Sequence, residues 1–194
     1  MQLPSDSADW TALAIADTRQ WLERAVIGLN LCPFAKAVHV KGQIHYAVSQ
    51  APDTQNLLDA LKYELKSLVA LDSSTRDTTL LIATGCLQEF LDFNDFLGQA
   101  EGVLADLDLE GVIQIASFHP QFQFAGTAPD DITNFTNRAP YPILHLLRED
   151  SIDRAVEAFA QAEDIFEKNM RTLTDLGQDG WAALDVGSHG KIEP

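Results

Sequence analysis

The run TTLLIATG, residues 78–85, constrains this chain more than any other stretch. From Leu80 to Ala83 it is apolar with no alternation. A strand with one wet face alternates, so a continuous run of this length reads as a central strand buried on both faces. Its neighbours in sequence read as helices. Asp53 is placed to cap a helix whose stripe is Leu57, Leu58, Leu61, Leu65, Leu68 and Val69. A second helix is expected from about Gln88 to Asp106, with Phe93, Phe96, Leu97, Ala100 and Leu104 inward. VIQIASF, Val112 to Phe118, is the next strand. Strand, helix, strand at this spacing reads as a right-handed parallel crossover.

The rest of the chain adds elements of both kinds. Asp9 or Ser7 is placed to cap a first helix, with Trp10, Leu13, Ala14, Asp17 and Trp21 near one face. That helix should stop before Pro33. VHVKGQIHYAV alternates from Val38 to Val48 and reads as a strand with one wet face, bent or turned at Gly42. His39 and His45 fall on the wet side. ILHLLRE reads as a short strand, after which Asp150 or Ser151 caps a helix carrying Ile152, Ala155, Val156 and Phe159. A final helix carries Ile165, Phe166, Met170, Leu173 and Leu176. The expected fold is α+β, close to α/β: one domain over 1–176, with about four strands in a mixed sheet covered by helices. The Gly-rich residues 177–194 read as a mobile tail.

Charge and cysteine usage bound the partners. Thirteen basic residues against twenty-nine acidic ones give a formal charge of −16. A field of that sign repels phosphate backbones and anionic lipid heads, so neither nucleic acid nor a membrane surface is expected as a partner. The acidity itself reads chiefly as solubility. No secretory leader is visible at MQLPSDSADW, and no apolar stretch reaches the roughly 18–20 residues that span a bilayer. Cys32 and Cys86 form no CxxC or zinc-like pattern, which reads as a cytoplasmic protein with reduced thiols. No GxGxxG, Walker or GxSxG pattern occurs; His119, His145 and a carboxylate could together ligate a metal, but no HxxxH or HExxH spacing supports it, and the cofactor is left unknown.

Chemistry concentrates between Ser117 and Arg148, SFHPQFQFAGTAPDDITNFTNRAPYPILHLLR, which holds four of the eight prolines. Long irregular connections inside compact domains are uncommon and often functional. His119 lies at a strand end, where side chains enter the crevice beyond the sheet, and is the acid/base candidate. The alternative is a turn histidine satisfied by backbone. Cys32, in NLCPFAK, becomes a nucleophile only if Lys36, a nearby His119 or a helix N-terminus stabilises its thiolate; otherwise it is a small buried hydrophobe. No other Lys or Arg occurs between Arg76 and Arg148 except Arg138, which is placed to hold an anion through its planar fork, or to pair with Asp130 or Asp131 and pin the loop. Asn137, His145 and Arg148 complete the candidate ligand-binding set, His145 being equally readable as a core histidine. Phe118, Phe122 and Phe124 line a pocket or plug the core.

These segments resemble a bacterial family catalogued as domain of unknown function 1415. The resemblance rests on NLCPFAK, SFHPQFQFAGTAPDD and TNRAPYPILHLLRE, and runs from about Trp21 to the helix beginning at Ile152. It implies that Cys32, Pro33, His119, Pro120, Asn137, Arg138, Pro140, His145 and Arg148 are shared features, and it names no reaction. Read with the residues, it leaves two functions in play, beside the possibility that the loop is structural only, its prolines and aromatics stiffening an awkward crossing. One is a small-molecule enzyme or ligand-binding domain taking an anion under the 117–148 loop beside the Cys32 turn. The other is a non-enzymatic interaction module anchored by Phe122, Phe124, Tyr141 and Arg138.

Overall fold

The computed structural model describes residues 7–158 and 164–189. Helix α1 (Ser7–Trp21) continues as a short π-helical stretch (Leu22–Ile27), followed by a turn and α2 (Ala35–Val40). Then come β1 (Ile44–Ser49), α3 (Thr54–Ala70), β2 (Thr78–Ala83), α4 (Phe90–Asp106), β3 (Ile113–Phe118), a 3-10 segment (Ile132–Asn137), β4 (Ile143–Arg148), α5 (Glu149–Ala158) and α6 (Ile165–Ala183). The result is an α+β domain around one four-stranded mixed sheet, in the order β1-β2-β4-β3. β1 and β2 are parallel; β4 runs antiparallel to both β2 and β3. The crossover through α4 therefore skips a strand, because β4 slots between β2 and β3. The crossover between adjacent strands is the one through α3.

Sequence explains most of this. Asp53 caps α3 by accepting the Asn56 amide hydrogen, and Leu57, Leu61, Leu65 and Leu68 are fully buried. Burying one such side chain is worth roughly 1.5–3 kcal/mol. Every residue of β2 is buried, as its unbroken apolar run requires. The register then splits the sheet into two faces. Leu81, Ala83, Leu144, Leu146 and Ile113 meet α3 and α4. Leu80, Ile82 and Ile143 meet α1, the π-helical stretch and the C-terminal segment.

Two expectations need correcting. The alternation from Val38 to Val48 spans two elements: Val38 to Val40 belong to α2, and only Ile44–Ser49 is strand. Gly42, with φ +68, ends the helix, its N–H donating to His39 O while Gln43 N–H donates to Val38 O. The stretch read as a mobile tail is packed through His189. α6 bends at Gly177 (φ +66) and carries on to Ala183; Trp181 and Leu184 pack on the α1-side core, and Val186 is buried. The glycines masked a sparse apolar pattern. Residues 190–194 and Phe159 lie outside the described residues. α5 begins directly at Glu149, and Ser151 donates to the Asp77 carboxylate instead of capping.

Candidate functional site

The loop between β3 and β4 is fastened from within. His119 is fully buried between Phe90 and Phe93, ring centroids 5.5 and 5.1 Å away. Its Nδ1 accepts the Gln121 amide hydrogen at 3.0 Å, so Nε2 carries the proton and donates to Leu87 O at 3.1 Å. Both ring nitrogens are spent on backbone, and burial lowers the pKa. Leu87 turns its carbonyl inward from a left-handed conformation, φ +60. Asn137 donates to Ser117 O and its carbonyl accepts the His119 amide. Buried Asn134, which the sequence reading passed over, ties the loop centre: it accepts from Phe124 N–H and Thr127 Oγ1 and donates to Ala128 O.

Arg138 also works as a clamp. It pairs with neither Asp130 nor Asp131. Its Nε donates to Phe122 O at 3.2 Å and one terminal nitrogen to Pro129 O, while the guanidinium lies 4.2 Å over the Phe135 ring. Of the five N–H groups a guanidinium carries, these bonds use two. The aromatic rings face each other: Phe90, Phe122, Phe124 and Phe166 form a chain from α4 to α6, and Phe135 packs on Trp181. Tyr141 is buried. The loop therefore plugs the sheet end, with Phe122, Phe124 and Phe135 half-buried.

The other candidates lie elsewhere. Arg148 donates to Leu68 O and Leu71 O at the end of α3 and to Arg76 O in the loop before β2, tying the two together. Cys32 is half-buried at the margin of the α1-side core, where burial raises its pKa despite amide hydrogens from Phe34 and Ala35. Successive residues of a strand point to opposite faces. Phe118 accordingly meets Trp21 on the α1 side, and His119 meets Phe93 on the α4 side. The sheet stands between Cys32 and His119, and the expected convergence of the two does not occur.

His145 is different. It occupies the centre of β4 on the α1 side, in a row running Tyr46, Leu80, His145, Ala116 across the four strands. Thr78 Oγ1 donates its only hydrogen to Leu146 O at 2.6 Å, so its 2.7 Å contact with His145 must be accepted from Nε2–H. That fixes the tautomer and leaves the Nδ1 lone pair with no hydrogen-bond partner among the described residues. Protein surrounds the ring closely enough to push its pKa down to about 4, yet the residue keeps some accessible surface. The ring is thus largely enclosed by protein while part of the residue meets solvent. Ala116 is small, Gln114 is exposed, and Phe118 stands 6.2 Å from the His145 ring. Cys32 packs in the same layer.

The α1 side holds further polar groups. Thr18 buries a hydroxyl with no hydrogen-bond partner among the described residues, and the Arg19 guanidinium lies 5.2 Å from the Tyr46 ring centroid. Asp17, buried, accepts from Tyr141 Oη and from His189. On the opposite face, buried Glu64 and Arg76 pair beside Thr79, with half-exposed His45 3.7 Å from Glu64. No sequence spacing announces these pairings. Among the described residues, no group of three or more His, Cys, Asp or Glu is arranged to hold a metal ion, and no helix is long and apolar enough to cross a membrane.

A family model described as a protein of unknown function, DUF1415, matches residues 13–183, and the chain belongs to that family. No curated protein and no solved structure matches it.

Proposed function

Membership of that family brings no reaction with it, and we propose that the chain is a small-molecule-binding domain whose site lies around His145, over β3 and β4 on the α1 side. One observation carries this reading: His145 is held as a neutral imidazole, one nitrogen committed to Thr78 and the other open. An open lone pair at the edge of an otherwise enclosed ring is an acceptor. A ligand N–H or O–H there takes the place of water and gains a directional hydrogen bond. Phe118 and Ala116 offer apolar contact, so the favoured ligand is uncharged, with a hydrogen-bond donor on an apolar body.

Magnitude separates binding from catalysis. A general base works best with a pKa near the operating pH. At about 4, His145 is too weak a base for that role in the ligand-free protein. The raised Cys32 pKa likewise opposes a thiolate nucleophile. Binding is the better-supported role for both.

The test is a fragment screen by NMR that reads the imidazole nitrogens of His145. Uncharged heteroaromatics and amides with N–H donors should shift Nδ1 in the wild type. Affinity should fall about tenfold in His145→Leu, the equivalent of about 1.4 kcal/mol. Fragments that bind without moving Nδ1, or equally well to the variant, would defeat the proposal. A second reading keeps the anion. It rests on the three guanidinium N–H groups of Arg138 that the clamp leaves over. Carboxylates or phosphates that bind the wild type and fail with Arg138→Ala would favour it.

A further inference from the structure

The segment after α6 closes on α1 through a single buried carboxylate. Asp17 Oδ1 lies 2.6 Å from His189 Nδ1, and Oδ2 accepts the His189 amide hydrogen at 3.0 Å and the Tyr141 hydroxyl at 2.7 Å. Asp17 is 3 % exposed. Among the described residues no other cation pairs with this carboxylate, so His189 is the group that can neutralise it. The rest of the segment is fitted to the same surface. Val186 is buried, Arg24 donates to Leu184 O at 2.9 Å, and Gln20 donates to Asp185 O.

We propose that residues 184–189 form a proton-gated clasp, closed on α1 while His189 is charged and opened more often when it is neutral. The groups facing the imidazole set the sign. Asp17 on α1 and Asp185 on the segment itself, 3.3 Å from Nε2, both favour the imidazolium. Arg24 is the cation nearest Asp185, 3.5 Å from its carboxylate, and partly offsets that second contact. Tyr141 stays protonated and donates throughout, its pKa raised by burial and by Asp17. The hydrogen bond to Asp17 raises the His189 pKa above its ordinary value. A raised histidine contributes stability that is complete below the unfolded pKa and lost as pH rises through the folded one. Neutral His189 still donates from Nδ1, so the clasp loosens without losing its geometry. A buried carboxylate whose partner has lost its charge is the energetic cause.

The test uses the full chain. Hydrogen-exchange protection of the Leu184, Asp185 and His189 amides, corrected for the intrinsic pH dependence of exchange, is followed across the NMR titration of the His189 ring. We expect a midpoint above that of a free histidine, and a several-fold loss of protection confined to this segment as pH rises through it. In His189→Gln the protection should become independent of pH. In Asp17→Asn the His189 midpoint should fall toward the ordinary value, Asp185 keeping part of the rise. Flat protection in the wild type, the same pH profile in His189→Gln, or an unaltered midpoint in a folded Asp17→Asn would each overturn the clasp. If Asp17→Asn does not fold, the His189→Gln comparison still decides.

Discussion

The two faces of the sheet are built to different rules. Toward α3 and α4 the inner strands show Leu81, Ala83, Leu144 and Leu146, sealed by the α3 leucines and by Phe93 and Phe96. Toward α1 the same strands show Thr78, its hydroxyl spent on Leu146 O and His145, with one His145 nitrogen open, and the edge strand adds Tyr46. The first face holds the fold together. The second gives up part of its packing to polar groups, a pattern expected where a protein binds something. Substitutions should therefore behave differently on the two sides. Phe93 is 1 % exposed, and Phe93→Ala should cost about 3–5 kcal/mol in denaturant unfolding. His145→Leu at neutral pH should cost less than about 1.5 kcal/mol, because Thr78 keeps its bond to Leu146 O. Equal losses on both faces would remove the contrast.

Acid sharpens it. Folded His145 titrates at about 4, well below the ordinary histidine value of about 6.5. Above the ordinary value the ring is neutral in both states and its contribution is complete. As pH falls from there toward 4, the unfolded chain takes up a proton that the fold refuses, so stability drops; below 4 the loss is complete. That loss is up to about 3 kcal/mol. His145→Leu should abolish this part of the slope, and urea midpoints measured across the range would show it. A variant that keeps the full slope would place the acid sensitivity in another group.

The loop lies between these extremes. Arg138→Ala removes two bonds to carbonyls and a ring contact at a half-buried position. It should lower stability by about 1–2 kcal/mol and speed proteolysis within residues 119–142. Unchanged stability would mean that the guanidinium is not the fastener its bonds describe.

What the sequence made legible follows from the range of the interaction. The unbroken run of β2 and the Asp53 cap with its leucine stripe were readable because period and capping are local. β4 entering between β2 and β3 was not, because strand order depends on contacts far apart in the chain. At the site, the concentration of polar and aromatic groups from Ser117 to Arg148 was visible, and its use was not. His119 and His145 both lie in that segment. Only the partners separate them: Leu87 O and Gln121 N–H saturate one, whereas Thr78, sixty-seven positions from His145, holds the other by one nitrogen. Composition also hid the C-terminal closure, since glycines around Trp181 and Val186 read as freedom.

Cys32 gives the smallest effect and the last way to separate the layers. Its thiol sits in the same layer as His145, but burial raises its pKa against the pull of two backbone amides. A thiol protonated beyond the ordinary extent reacts slowly, because the thiolate is the nucleophile. Alkylation of the folded protein at neutral pH should be slower than that of a free thiol and should steepen only above the usual thiol range. Cys86, half-buried on the α4 side, has its pKa raised by burial and by Asp53. Labelling should therefore be read for each cysteine by peptide mapping. Fast alkylation of Cys32 with a midpoint below that of a free thiol would show a stabilised thiolate, and the α1-side site would then have to be read as a catalytic centre.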